Sequence, residues 1–209
     1  MPEDWLDRWA TGRTGWHEPD GNAGLKKHWC WETGSVLVPF CGKSPDLAWL
    51  ARRGHDVVGV ELSEIAARHF FAEQGLEFDT GQEGSLTRFS AIQLPISIYC
   101  GDYFSFKVSS FDALYDRGAL VAVDPLLRQK YVAHTRGLLK PAARQLIVTL
   151  EYDQEVVQGP PFAVTADEMS ALWNDLERVA AQDDIDNCPP KFLDAGLTDI
   201  KEVVWRSVR

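Results

Sequence analysis

The chain has 209 residues, a formal net charge of −10 at pH 7 and 45% hydrophobic residues, which suits one α/β domain spanning 1–209 with a sizeable core. Such acidity excludes the basic patch that nucleic acid or an anionic membrane surface requires, and no apolar run approaches the roughly 20 residues that cross a bilayer. No basic region followed by an apolar stretch opens the chain, and the four cysteines (Cys30, Cys41, Cys100 and Cys188) form no C-x-x-C pair, so we expect a reduced, cytoplasmic protein without a secretory signal or a metal site.

Pro2 to Thr11 reads as a short amphipathic helix with Trp5, Leu6 and Trp9 on one face. A glycine-rich loop from Gly12 to Gly21 follows, and Asn22 caps a second helix carrying Leu25 and Trp29. Five of the eight tryptophans fall in the first 31 residues, ahead of the first strand, so this prefix must pack on the sheet or on a ligand. We treat 1–34 as an aromatic N-terminal lid segment. Strand 36–40 leads into a helix opened by Ser44 and Pro45 and closed by Gly54. Strand 56–61 leads into a helix capped near Ser63 and stopped at Gly75. The polar stretch 79–93 is expected to be a surface excursion. Ile96 to Cys100 is the third strand, Ala113 to Tyr115 lies in the fourth, and a helix covers about 125–138. Gln145 to Glu151 is the fifth strand, expected to be buried on both faces. Thr165-x-x-Glu168 is a capping box ahead of Met169, Leu172, Trp173 and Leu176, which read as a helix. Thr198 to Val208 has strand character and is expected to add antiparallel edge pairing. Strands alternating with helices imply a mostly parallel sheet covered on both faces.

The most informative spacing joins Gly42, at the turn after the first strand, to Glu61, 19 positions later at the end of the second. In a parallel sheet these meet at one edge, where a nucleoside sits with its ribose hydroxyls on the acid. Cys41-Gly42-Lys43-Ser44 looks like the end of a phosphate-binding loop, but Leu37 stands where that loop needs another glycine. A dinucleotide site wants three glycines where this turn has one. A cofactor without phosphates, S-adenosylmethionine, fits better, and its sulfonium suits an acidic site lined by aromatic rings. Bland readings stand beside these. Asp102 would also serve as a helix N-cap, Lys43 as a solvated helix-start residue, and Cys41 as a small buried thiol packing the turn.

Trp5-x-x-x-Trp9, Gly12-x-Thr14-x-Trp16-His17, Val38-Pro39-Phe40-Cys41-Gly42-Lys43-Ser44, Gly54-His55-x-Val57-Val58-Gly59-Val60-Glu61-Leu62-Ser63-Glu64, Tyr115-Asp116-Arg117-Gly118-Ala119-Leu120-Val121-Ala122 and Gly159-Pro160-Pro161-Phe162 together resemble the thiopurine S-methyltransferases, in order from about Trp5 to the C-terminus. The resemblance implies a Rossmann-like class I methyltransferase with a seven-stranded, mostly parallel sheet, helices on both faces and an N-terminal helical lid. It implies a soluble, monomeric enzyme that uses S-adenosylmethionine, releases S-adenosylhomocysteine, and methylates small aromatic or heterocyclic thiols, or selenium and tellurium species in some bacterial relatives. By the same resemblance Trp5, Trp9, Phe40, Gly42, Glu61, Asp102, Tyr103 and Arg117 bind the cofactor. Trp16, His17 and Arg117 line the acceptor pocket, and Arg117 and Asp116 are the catalytic pair. Phe40 and Trp16 are bulkier than the family's common residues, and the acidic stretch 182–190 lacks the acceptor-binding arginine of some relatives. Other small acceptors, such as halide or an aliphatic thiol, and a non-catalytic cofactor-binding module are the alternatives.

Overall fold

The computed structural model describes residues 2–208. Its elements are α1 (Pro2–Ala10), α2 (Ala23–His28), β1 (Ser35–Pro39), α3 (Asp46–Arg52), β2 (Asp56–Glu61), α4 (Glu64–Gln74), β3 (Phe78–Glu83), β4 (Leu86–Ala91), β5 (Ile96–Cys100), β6 (Phe111–Arg117), α5 (Arg128–Leu138), β7 (Leu139–Tyr152), α6 (Ala166–Leu172), β8 (Leu176–Asp183), α7 (Pro190–Asp194) and β9 (Ile200–Ser207). The strands form one sheet in the order β3-β4-β5-β2-β1-β6-β7-β9-β8. β5, β2, β1, β6 and β7 run parallel, whereas β9 and β8 and the β3–β4 hairpin pair antiparallel at the two sides.

Strand periodicity divides the core. In β1, Val36 and Val38 face Leu25, Leu47, Leu50, Phe70 and Phe71 on the side covered by α2, α3 and α4. Leu37, between them, faces Tyr131, Val132, Leu138, Met169 and Trp173 on the side covered by α5 and α6. An apolar run buried on both faces is what a central parallel strand needs. Local caps agree with the sequence reading. Asn22 accepts from Leu25 N–H, Ser63 from Ala66 N–H, and Thr165 from Glu168 N–H. No helix among the described residues is long and apolar enough to cross a membrane.

Four expectations need correction. The sheet has nine strands rather than seven, because the stretch read as a surface excursion forms the β3–β4 hairpin on β5's open edge. Only Leu86 and Phe89 of that hairpin are buried, which is why it looked like a loop. The helix after Thr165 stops at Leu172. Trp173 instead buries its ring and gives its indole N–H to Gln145, and Leu176 opens β8. β9 is antiparallel as expected but is not the edge, since β8 covers its outer side. Finally, the fifth strand begins at Leu139, six exposed or half-buried residues before its buried run.

Candidate active site

Chain order reverses beside β1. It proceeds outward to β2 and β5 on one side and then returns to β6 and β7 on the other. Ligands in such sheets bind at the carboxyl ends of the strands flanking this reversal, which is where the candidate residues lie. The β1 turn takes two residues through the left-handed region, Phe40 at φ 48° and Gly42 at φ 53°. The first is costly for a side chain and is the kind of strain that concentrates at functional turns. Cys41 N–H binds Val60 C=O at 3.2 Å, so the turn folds over the end of β2. A Cβ on Gly59 would stand 2.6 Å from Cys41 Sγ, which explains the glycine inside β2. Burial, with Glu61 second, raises the Cys41 thiol well above its usual pKa, making it a poor nucleophile.

Glu61 is buried at the end of β2. One carboxylate oxygen accepts Gly42 N–H at 2.8 Å and the other accepts Ser63 N–H at 2.9 Å. Burial raises its pKa, opposed by the amides of Ser63, Gly42 and Leu62. Glu61 C=O also accepts Gly101 N–H at 2.9 Å, which fixes the loop carrying Asp102. Asp102 is exposed and takes Phe104 N–H at 3.0 Å, so it caps the turn after β5. Tyr103 is buried behind Phe40, with ring centroids 5.4 Å apart, and its hydroxyl meets Thr135 Oγ1 at 2.9 Å.

The N-terminal segment covers this edge. Trp9 lies over Gly42 so closely that a Cβ there would stand 3.2 Å from the indole. Trp16 meets Trp5 and Trp9 edge to face, with centroids 5.1 and 5.8 Å apart. Arg8 lies over the rings of Trp5 and Trp16 at 5.1 and 5.9 Å. A cleft of about 250 Å³ flanks the turn, lined by Trp9, Gly12, Thr14, Lys43, His69, Ala72 and Glu73. Lys43 pairs there with Glu73. His17 is half-buried. Burial first and Lys43 next lower its pKa, so it stays neutral near pH 7.

At the end of β6, Arg117 donates to Trp16 C=O at 2.8 Å and pairs with Glu18. Burial opposes its charge, but Glu18, Tyr115, Glu202 and Asp46 outweigh that and raise its pKa. Asp116 points the other way and is 0% exposed. Oδ1 accepts Ala119 and Leu120 N–H at 3.1 and 3.2 Å, and Oδ2 accepts the Tyr131 hydroxyl at 2.7 Å. Burial pushes its pKa up to about 6. So enclosed, Asp116 anchors the loop that follows Arg117.

The structure thus gathers Trp5, Trp9, Trp16, Gly42 and Glu61 around the turn, and Arg117 against the lid loop. Sequence reasoning missed the polar groups beneath that loop. Asp46 is buried, accepting Asn22 N–H at 2.9 Å and the Tyr115 hydroxyl at 2.7 Å. Glu202 is buried on β9 and accepts from Asn22 and Gln182 at 2.9 and 3.2 Å. Glu202 had one signal, a charge at the position between Ile200 and Val204 on their apolar side of the strand.

Residues 1–209 match the family model described as Thiopurine S-methyltransferase (TPMT). The chain is 42% identical over 215 residues to the Thiopurine S-methyltransferase of Pseudomonas fluorescens (strain Pf0-1), with 99% of this chain and 98% of the relative covered. It is 41% identical over 220 residues to that of Bordetella petrii, covering 99% and 98%. The chain belongs to the thiopurine S-methyltransferase family. Solved structures agree on the fold. Burkholderia thailandensis 1,6-didemethyltoxoflavin-N1-methyltransferase, with bound 1,6-didemethyltoxoflavin and S-adenosylhomocysteine, has a TM-score of 0.65 at 20% identity, covering 100% of this chain and 87% of its own. TehB from Haemophilus influenzae has a TM-score of 0.61 at 12% identity, covering 88% and 60%. The class I methyltransferase fold and the family read from the motifs therefore stand, with two strands added to the sheet.

Proposed function

We propose that this chain transfers a methyl group from S-adenosylmethionine to the sulfur of small aromatic or heterocyclic thiols of the thiopurine type. One observation carries the reading: Glu61, buried at the carboxyl edge of β2, holds Gly42 N–H at 2.8 Å in a turn that Trp9 covers. The residues present fit the donor. The Glu61 oxygens accept the Gly42 and Ser63 amides, with the Leu62 amide beside them, and keep acceptor capacity for a ribose hydroxyl. Any side chain at Gly42 would fill the cradle under Trp9. The rings of Trp9 and Phe40 attract a sulfonium, and Asp102 stands at the adenine end.

When bound, S-adenosylmethionine would supply an electrophilic methyl: the acceptor sulfur would gain the carbon as the carbon–sulfonium bond breaks and S-adenosylhomocysteine leaves. Heterocyclic thiols ionise substantially near neutral pH, so the site needs no strong base. Charge is neutralised as the sulfur approaches, and stabilising new charge gains little. Positioning therefore carries the acceleration, by holding the reacting atoms about 3–3.5 Å apart and excluding water. Trp5, Trp9 and Trp16 are the cover, and Trp16 and His17 wall the acceptor. Arg117 stays protonated and cannot abstract a proton, so it orients the acceptor. Asp116 is a positioning residue for the loop beyond it.

In this reading 1–209 is one methyltransferase domain with 1–34 as its lid, acting as a cytoplasmic monomer on small molecules. Four free, scattered cysteines support a reducing compartment, and light scattering tests the monomer. The decisive experiment is transfer from labelled S-adenosylmethionine to a panel of aromatic thiols, aliphatic thiols, selenite, tellurite and halide. Transfer to the aromatic thiols is expected. Transfer confined to selenium or tellurium would replace the acceptor class, and no transfer with product binding intact would make the chain a non-catalytic module.

A further inference from the structure

Glu18 is held on both sides. Its Oε1 pairs with Arg117 Nη2, and its Oε2 accepts from Asn22 Nδ2 at 3.2 Å. Asn22 is itself fixed by Glu202, Asp46 and the start of α2. The carboxylate that meets Arg117 thus comes from the lid loop, and the neighbouring Trp16 C=O takes a second guanidinium N–H. The pair is not sealed: the Arg117 and Glu18 side chains are 24% and 35% exposed to solvent. Asp46 adds negative charge behind them.

On the reading that Arg117 faces the acceptor, we propose that Glu18 is a specificity-determining residue, its carboxylate occupying the place on Arg117 that an acceptor anion would take. A second anion arriving there meets a guanidinium already neutralised and a like charge beside it. The site therefore holds a fully ionised acceptor less tightly than an uncharged one of the same shape. Discrimination of this kind is built by a repulsive group as much as by an attractive one.

The test uses the full chain loaded with S-adenosylhomocysteine and two ligands that share one ring. 4-Nitrothiophenol is a thiolate at neutral pH; 4-nitrothioanisole is its uncharged methyl thioether. Binding of each is read by quenching of tryptophan fluorescence. Glu18→Gln keeps the shape of the side chain and removes its charge. It is expected to tighten the thiolate roughly five- to tenfold and to leave the thioether unchanged, whereas Glu18→Asp stays close to the parent. If the Gln variant does not fold, Glu18→Ser is to show the same contrast. Equal changes for both ligands, no change for the thiolate, or no thiolate binding to any variant would overturn the proposal. The contrast without methyl transfer to any thiol would support this proposal and sink the S-methyltransferase reading; transfer without the contrast would sink this proposal alone.

Discussion

Glu202 makes the stability of the folded chain depend on pH in an unusual direction. It is 4% exposed, and burial, with the charge of Glu18 next, pushes its carboxyl from an ordinary 4.5 up to about 7. Between those values the folded chain keeps a proton that the unfolded chain has released. Stability from this group is therefore full below pH 4.5 and is lost as pH rises through 7. A displacement of this size is worth about 3 kcal/mol across the window. Glu202→Gln removes the ionisation while keeping an amide oxygen for Asn22, and Gln182 can turn its own amide to accept from the new one. The measurement is urea unfolding, followed by tryptophan fluorescence at pH 5, 6, 7 and 8, for both proteins. The variant is expected to gain on the parent as pH rises, reaching an advantage of about 3 kcal/mol by pH 8 with an unchanged denaturant slope. Taking the difference cancels other titrating groups, including Asp116, whose raised pKa acts in the same direction. Parallel stability profiles would show that Glu202 is ionised in the folded chain across the whole range and would refute the reasoning.

Glu61→Ala removes the ribose acceptor and strands two backbone amides, so calorimetry should show S-adenosylhomocysteine binding weakened by at least about tenfold; unchanged affinity would remove the ribose assignment. Deleting residues 1–17 takes away Trp5, Trp9 and Trp16 and should abolish turnover while circular dichroism shows the sheet intact; full activity would end the idea of a lid. Asp116→Asn keeps an oxygen for Ala119 and Leu120 N–H and disturbs the bond from Tyr131, so it should lower stability by about 1–3 kcal/mol with kcat within roughly threefold. A hundredfold loss of kcat in a folded Asn variant would return Asp116 to the chemistry.

Much of this was legible because the parallel core obeys local rules. Apolar runs, one turning through Gly42 and the next ending on Glu61, and helices opened by Asn22, Ser63 and Thr165, told where β1, β2, α2, α4 and α6 begin or stop. The edges were harder. β3 and β8 expose most of their side chains and β4 buries only Leu86 and Phe89, so their sequences carry little of the apolar alternation that marks a strand. The same division holds at the site. Gly42 and Glu61 could be found from spacing, because strand length and one turn determine where they meet. Arg117 with Glu18, and Asn22 with Glu202, are 99 and 180 positions apart. Pairings that distant follow from sheet order, which a single sequence does not display. Asp116 misled for a related reason. Its place at a strand end was read correctly, but side chains there alternate in direction, and this one turns inward while Arg117 turns toward the lid.

The N-terminal segment is fastened at two points that differ in physics. Over the β1 turn the fastening is packing: Trp9 against Gly42, braced edge to face by Trp16. At the end of β6 it is charge: Glu18 and the Trp16 carbonyl on Arg117. Packing of a buried indole is indifferent to salt, whereas a partly exposed ion pair is screened. Raising ionic strength should therefore loosen the contact at Arg117 first and leave the turn covered. On the proposed function, this is also why neutralising Glu18 should alter which acceptors bind without uncovering the donor, and why the 1–17 deletion, which removes Trp9, Trp16 and its carbonyl, should do both.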